Sequence, residues 1–113
     1  MATHKSDVGG VPIFYCTTYT DPGTTAVTIT TPAGFYPDYV LVLMNENTNP
    51  DKAEWYKGGN ATPGGVFTDG TTGIMTLMTT NGINVGTAVI TLGTDVVNDN
   101  ITGTVCAWRY TQG

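Results

Sequence analysis

The chain has 113 residues, a net charge of −5 and only 12% charged residues, where an average globular domain has about 25%. That length suits one domain, and the 10% aromatic content separates it from disordered chains. Four cations (Lys5, Lys52, Lys57 and Arg109) cannot make the basic patch that nucleic acid or an anionic membrane requires, so neither is expected as a partner. One His and two Cys leave little for acid–base or metal chemistry, whereas about one residue in five is Thr, and Thr, Val, Ile and Tyr favour pleated strands.

Residues 1–11 are mostly polar and read as a short flexible N-terminal arm, with Gly9-Gly10 as its hinge. Residues 12–113 read as a single domain. The arm has no apolar stretch of the signal-peptide kind, and no segment approaches the roughly 18 apolar residues of a spanning helix. A soluble protein made in the cytoplasm is expected. A first strand over 13–19 puts Ile13, Tyr15 and Thr17 on one face and Phe14, Cys16 and Thr18 on the other. Asp21-Pro22-Gly23 is a turn, and 26–31 alternates as a half-buried strand carrying Val27 and Ile29. Pro32, Gly34 and Pro37 end it. Residues 39–44 are continuously apolar and too short for a helix, which predicts a central strand buried on both faces. A polar loop containing Asn49-Pro50 leads to a short strand over 53–57, holding Trp55 and Tyr56, and then to a Gly-rich loop over 58–65. A brief strand at 66–67 ends at Asp69-Gly70. Residues 74–80 form another, followed by Asn81-Gly82, the strongest short hairpin signal in the chain. Strands over 83–85 and 88–92 are divided by Gly86. The last strand, 102–110, sets Thr104, Cys106, Trp108 and Tyr110 against Val105, Ala107 and Arg109. Roughly seven to nine short strands between turn signals, with no helical period, predict an all-β fold: a β-sandwich, jelly-roll-like.

Candidate chemistry is sparse. His4 is the only histidine and lies in the arm, so no Ser–His or Cys–His dyad can be assembled in the domain. Most acidic residues fall in predicted turns, where Asp bonds the backbone, and they are too scattered for a paired-carboxylate site. The loop over 95–100 is rich in oxygen ligands but lacks the spacing of an EF-hand calcium loop. The glycines at 58–59 and 64–65 do not form a dinucleotide fingerprint. No cofactor or metal is expected. Cys16 and Cys106 lie in apolar strand-like runs without metal-ligand spacing. They read as buried free thiols in a reducing cytoplasm, with a disulfide between them as the alternative. Trp55 and Tyr56 are either core or an interface anchor; Trp108, mid-strand, reads as core.

The order of segments says more than any one of them. Thr28-Ile29-Thr30-Thr31-Pro32-Ala33-Gly34-Phe35 is followed by a hydrophobic strand ending in Asn45, then by Glu54-Trp55-Tyr56-Lys57-Gly58 and Thr79-Thr80-Asn81-Gly82-Ile83. The chain closes with Thr91-Leu92-Gly93-Thr94-Asp95, Asn98 and Val105-Cys106-Ala107-Trp108-Arg109. Over residues 25–109 this resembles small virion proteins of tailed bacteriophages. The resemblance implies a non-enzymatic structural protein, most like a capsid decoration (cement) protein. Such a protein would be made in the host cytoplasm and reside on the virion, binding the major capsid protein at the outer capsid surface, commonly as a homotrimer. A head-fibre or tail component is the neighbouring expectation. The family offers no catalytic residues. Contacts with the capsid or a second subunit are expected from His4, Lys5 and Asp7 in the arm and from Trp55, Tyr56 and Lys57. A different class, a carbohydrate-binding β-sandwich module, would need Trp55, Tyr56 and Tyr36 exposed together in one flat row. A small hydrolase is disfavoured for want of a usable histidine.

Overall fold

The computed structural model describes residues 7–8 (backbone only), 11–44, 48–97 and 101–110. Within them the chain forms eleven strands and no helix. The first five are β1 (Asp7–Val8), β2 (Val11–Pro12), β3 (Phe14–Thr20), β4 (Val27–Thr30) and β5 (Tyr39–Met44). They are followed by β6 (Lys52–Tyr56), β7 (Val66–Thr68), β8 (Met75–Leu77), β9 (Ile83–Gly86), β10 (Val89–Leu92) and β11 (Thr102–Trp108). All pairing between named strands is antiparallel. The large sheet has six strands in the order β3-β11-β5-β6-β7-β8, the small one has three in the order β4-β10-β9, and β1 pairs only with β2.

Alternation along each strand turns one face of each sheet inward. Val40, Val42 and Met44 of β5, Ala53 and Trp55 of β6, and Val105 and Ala107 of β11 are buried. From the small sheet Ile29, Ile83, Val85, Ile90 and Leu92 join the same core, closed by Phe35 and Val97 from loops. Each of these large apolar side chains contributes roughly 1.5–3 kcal/mol on leaving water. In the large sheet Tyr19 stands opposite Gly103. A Cβ at Gly103 would collide with the Tyr19 ring, so the glycine is what lets the aromatic lie across β11.

The turn at Asp21 forms as its sequence predicts. The Gly23 N–H donates to Asp21 Oδ1 at 2.6 Å, and Gly23 takes φ 89°. The hairpin expected at Asn81-Gly82 is absent. There the chain leaves β8 in the large sheet and enters β9 in the small one. A turn signal reports that the chain reverses, not which strand it joins. Ile83 and Val85 instead find their partners in Leu92 and Ile90 of β10. The tight hairpin lies between β9 and β10, at Thr87-Ala88, with Ala88 at φ 63°.

Two further expectations are corrected. β5 is central, but its burial alternates, so it is covered on one face only; Leu41 is half-buried and Leu43 exposed. Cys16 and Cys106 are not free thiols. They are register partners on adjacent strands and form a disulfide, and neither is buried. Their outward direction follows from the alternation read in the sequence; the expectation failed on which face was covered. Val11, at the expected end of the arm, packs against the core. Arg109 holds that segment, donating from Nε to the Pro12 carbonyl and from Nη2 to the Val11 carbonyl, both at 3.2 Å. The rest of the expected arm, 1–6 and 9–10, lies outside the described residues.

Candidate functional site

The outward face of the large sheet is the chemically unusual surface. One register row crosses four strands as Phe14, Trp108, Tyr39 and Tyr56. Successive ring centroids lie 5.2, 5.2 and 4.9 Å apart, with interplanar angles of 50°, 35° and 43°. The next row runs Cys16, Cys106, Leu41, Glu54, Val66 and Leu77, and the third Thr18, Thr104, Leu43, Lys52, Thr68 and Met75. None of these residues is buried. The small sheet contrasts with this: its outward face carries Thr28, Thr30, Asn84 and Thr91 around a single half-buried Val89, close to the polar pattern expected of a solvated face. Large apolar side chains on an uncovered sheet face mark an interaction surface.

A polar cluster interrupts the apolar rows. Tyr39 donates its hydroxyl to Glu54 Oε2 at 2.7 Å and Tyr56 donates to the same oxygen at 3.1 Å. Lys52 Nζ stands 3.6 Å from Oε1. Burial works to raise the Glu54 carboxyl, but the two phenols and Lys52 outweigh it and hold the group below its ordinary value. Burial, together with the bond to Glu54 and its charge, pushes the Tyr39 phenol far up. The same order of causes raises Tyr56. Beside the aromatic row Lys57 Nζ lies 3.6 Å from Asp38 Oδ1 and 4.8 Å from the centre of the Tyr36 ring. The Asp38 carboxylate also accepts from the Tyr110 N–H at 2.6 Å, so this corner is tied to the end of the last strand.

Of the residues singled out in the sequence, Tyr56 and Lys57 lie at this surface. Trp55 does not: its side chain is 2% exposed, and its Nε1–H donates to the Ala61 carbonyl at 2.9 Å. His4 and Lys5 lie outside the described residues, and only the backbone of Asp7 is described. Trp108, expected in the core, belongs to the aromatic row, as do Phe14 and Tyr39. The sequence did hold a signal for one of them. For Trp108, alternation puts it with Thr102 and Thr104 and against Val105 and Ala107, and threonine company favours the solvent side; in β3 threonine stands on both faces and gave no such signal for Phe14.

Among the described residues no three His, Cys, Asp or Glu side chains gather as metal ligands. A concavity of about 250 Å³ is lined by Phe67, Thr76, Leu77, Met78 and Asp95, below the roughly 300–1,000 Å³ of small-molecule sites. No helix among the described residues is long and apolar enough to cross a membrane. Comparison with family models, curated proteins and solved structures found no match.

Proposed function

We propose that the protein is a non-enzymatic virion structural protein that docks on the outer capsid surface through the outward face of its large sheet and stabilises the shell. The observation that carries this reading is the uncovered apolar face, with Phe14 and Leu43 exposed at 42% and 43%. A monomer has no use for such a face at home, whereas a repeated shell lets many modest contacts add through multivalency. The resemblance to phage virion proteins supplies the partner, the major capsid protein, and self-association as a homotrimer; a head-fibre or tail position is the variant of the same reading. A jelly-roll-like topology is supported by two pairings. The early strands β3 and β4, one in each sheet, pair with the late strands β11 and β10, while the run β5 to β8 stays within one sheet. A solvent-facing disulfide suits a protein that works after release from a reducing cell.

Co-sedimentation with capsids that lack the protein tests this reading. The wild-type chain is expected to bind, and Leu43→Glu and Tyr56→Ser variants that melt normally are expected to bind at least about tenfold more weakly. Unchanged binding by both variants would remove the face from the mechanism. A carbohydrate-binding module is the second reading, favoured by the aromatic row with Glu54 at its side. The 35–50° tilts between rings and the burial of Trp55 weigh against a flat stacking platform. Titration with oligosaccharides, followed by Trp108 fluorescence in a Trp55→Phe background, decides it; a saturable change would favour the sugar.

A further inference from the structure

The edge of the large sheet at β8 has a defined set of open backbone groups. The Asp69 N–H donates to the Ile74 carbonyl at 2.9 Å and the Met78 N–H to the Gly65 carbonyl at 2.8 Å. Both pairs belong to the register that sets Phe67 opposite Thr76. Because hydrogen-bonded pairs alternate along an antiparallel ladder, Thr76 turns its N–H and C=O toward β7. Met75 and Leu77 turn theirs to the free side. Their side chains are 66% and 65% exposed and lie on the outward face.

Sheet edges are usually protected by charge, proline or covering loops. The edge of the small sheet shows such cover. Gly64 exchanges hydrogen bonds with Ile83 at 3.0 and 2.8 Å, and Thr62 Oγ1 accepts from the Val85 N–H at 2.9 Å. Among the described residues nothing bonds the open backbone groups of the β8 edge, and the strand itself carries no charge and no proline. Residues 70–82 contain no charged residue and no proline. In a chain of net charge −5 this stretch brings no charge of its own to a contact with a second copy; Asp95, which lines the concavity with Thr76 and Leu77, is a carboxylate beside it.

We propose that two copies of the chain join through β8, antiparallel about a twofold axis at Thr76. Met75 then stands opposite Leu77 of the second copy, and Leu77 opposite its Met75. Each such pair exchanges both N–H···O=C bonds, so the open groups of the edge are satisfied reciprocally. The Met75 and Leu77 side chains of the two copies meet on the outward face, and the two large sheets become one. This contact is twofold and would replace, not accompany, the homotrimer that the resemblance implies; it does not depend on capsid docking.

Sedimentation equilibrium tests it directly. The wild-type chain is expected to show twice the 11.9 kDa of one copy as concentration rises, and Leu77→Lys is expected to show the single mass. A monomer or a trimer for the wild type at submillimolar concentration, or a dimer that survives Leu77→Lys, would overturn the proposal. Amide hydrogen exchange of the wild type gives a second measurement that needs no variant. The Met75 and Leu77 amides should slow by at least about tenfold between dilute and concentrated protein, while Thr76 is protected in both. Met75 and Leu77 exchange rates that ignore concentration would also overturn it.

Discussion

Ala88 occupies a conformation that glycine tolerates better. Its φ of 63° lies in the left-handed region, where a Cβ costs roughly 1–2 kcal/mol. The turn is held in place because the Ala88 N–H donates to the Phe35 carbonyl and its own carbonyl accepts from the Thr31 N–H, both at 3.1 Å. Ala88→Gly is therefore expected to raise unfolding free energy by about 1 kcal/mol in urea denaturation, less what the more flexible unfolded chain takes back. The tyrosines give a second prediction at this scale. Burial and the Asp21 charge push Tyr19 up to about 12, and Tyr39 goes up further. The folded state prefers these neutral phenols, so their stabilisation is complete below the ordinary value of 10.0 and is lost as pH rises through the folded values. Absorbance titration at alkaline pH should find a late-ionising class of tyrosines, and Glu54→Gln should move Tyr39 back toward its ordinary value. Glu54 itself works in the other direction. Its depressed pKa contributes stability above its ordinary value of 4.5 that is lost as pH falls toward and through the folded value.

Strands β3 and β11 are joined twice, by a register that runs from Phe14 opposite Trp108 to Thr20 opposite Thr102 and by the disulfide. The cysteines are 90 residues apart in sequence, so the bond restricts a long stretch of the unfolded chain. Replacing both by Ser is expected to cost about 2–4 kcal/mol. The far-UV circular dichroism of the double variant should stay that of the native protein, because the ladder does not need the bond. A loss of β signal at moderate temperature would show that the bond is required for the pairing itself. The Cys16 and Cys106 sulfurs stand on the open face, so mild reductant should reach them in the folded protein, and thiol titration without denaturant should then count two.

Seen whole, the two larger sheets of the molecule are of unequal character. The small sheet turns threonines to water, while the large one shows water an aromatic row and Leu41, Leu43, Val66, Met75 and Leu77. A hydrophobic fluorescent dye is expected to bind the native protein at neutral pH, and a Leu41→Thr, Leu43→Thr variant should bind less of it without melting earlier. Dye binding that is absent from the native state would mean that this face is covered in solution, which mass measurements would then trace to self-association.

Much of the local structure was legible in the chain. The Thr, Val and Ile content gave all-β, the strand from Tyr39 to Met44 matched its apolar run, and the alternation in β3 and β11 assigned both faces. Those are local properties, set by backbone preference and a period of two. What stayed hidden was which face of the large sheet would be covered. An apolar run such as Tyr39 to Met44 has the same sequence whether a second layer lies on one side or on both, and only the packing of β4, β9 and β10 against one side decides it. The Cys16–Cys106 pair depended on β3 and β11 becoming neighbours across 90 residues. The sequence alone thus determined the strands from β3 onward, to within a few residues at their ends, and which side chains share a face, whereas β1 and the start of β2 fell in the segment read as an arm. Tertiary structure decided which of those faces met protein and which met water, because burial depends on the partner layer and not on the strand.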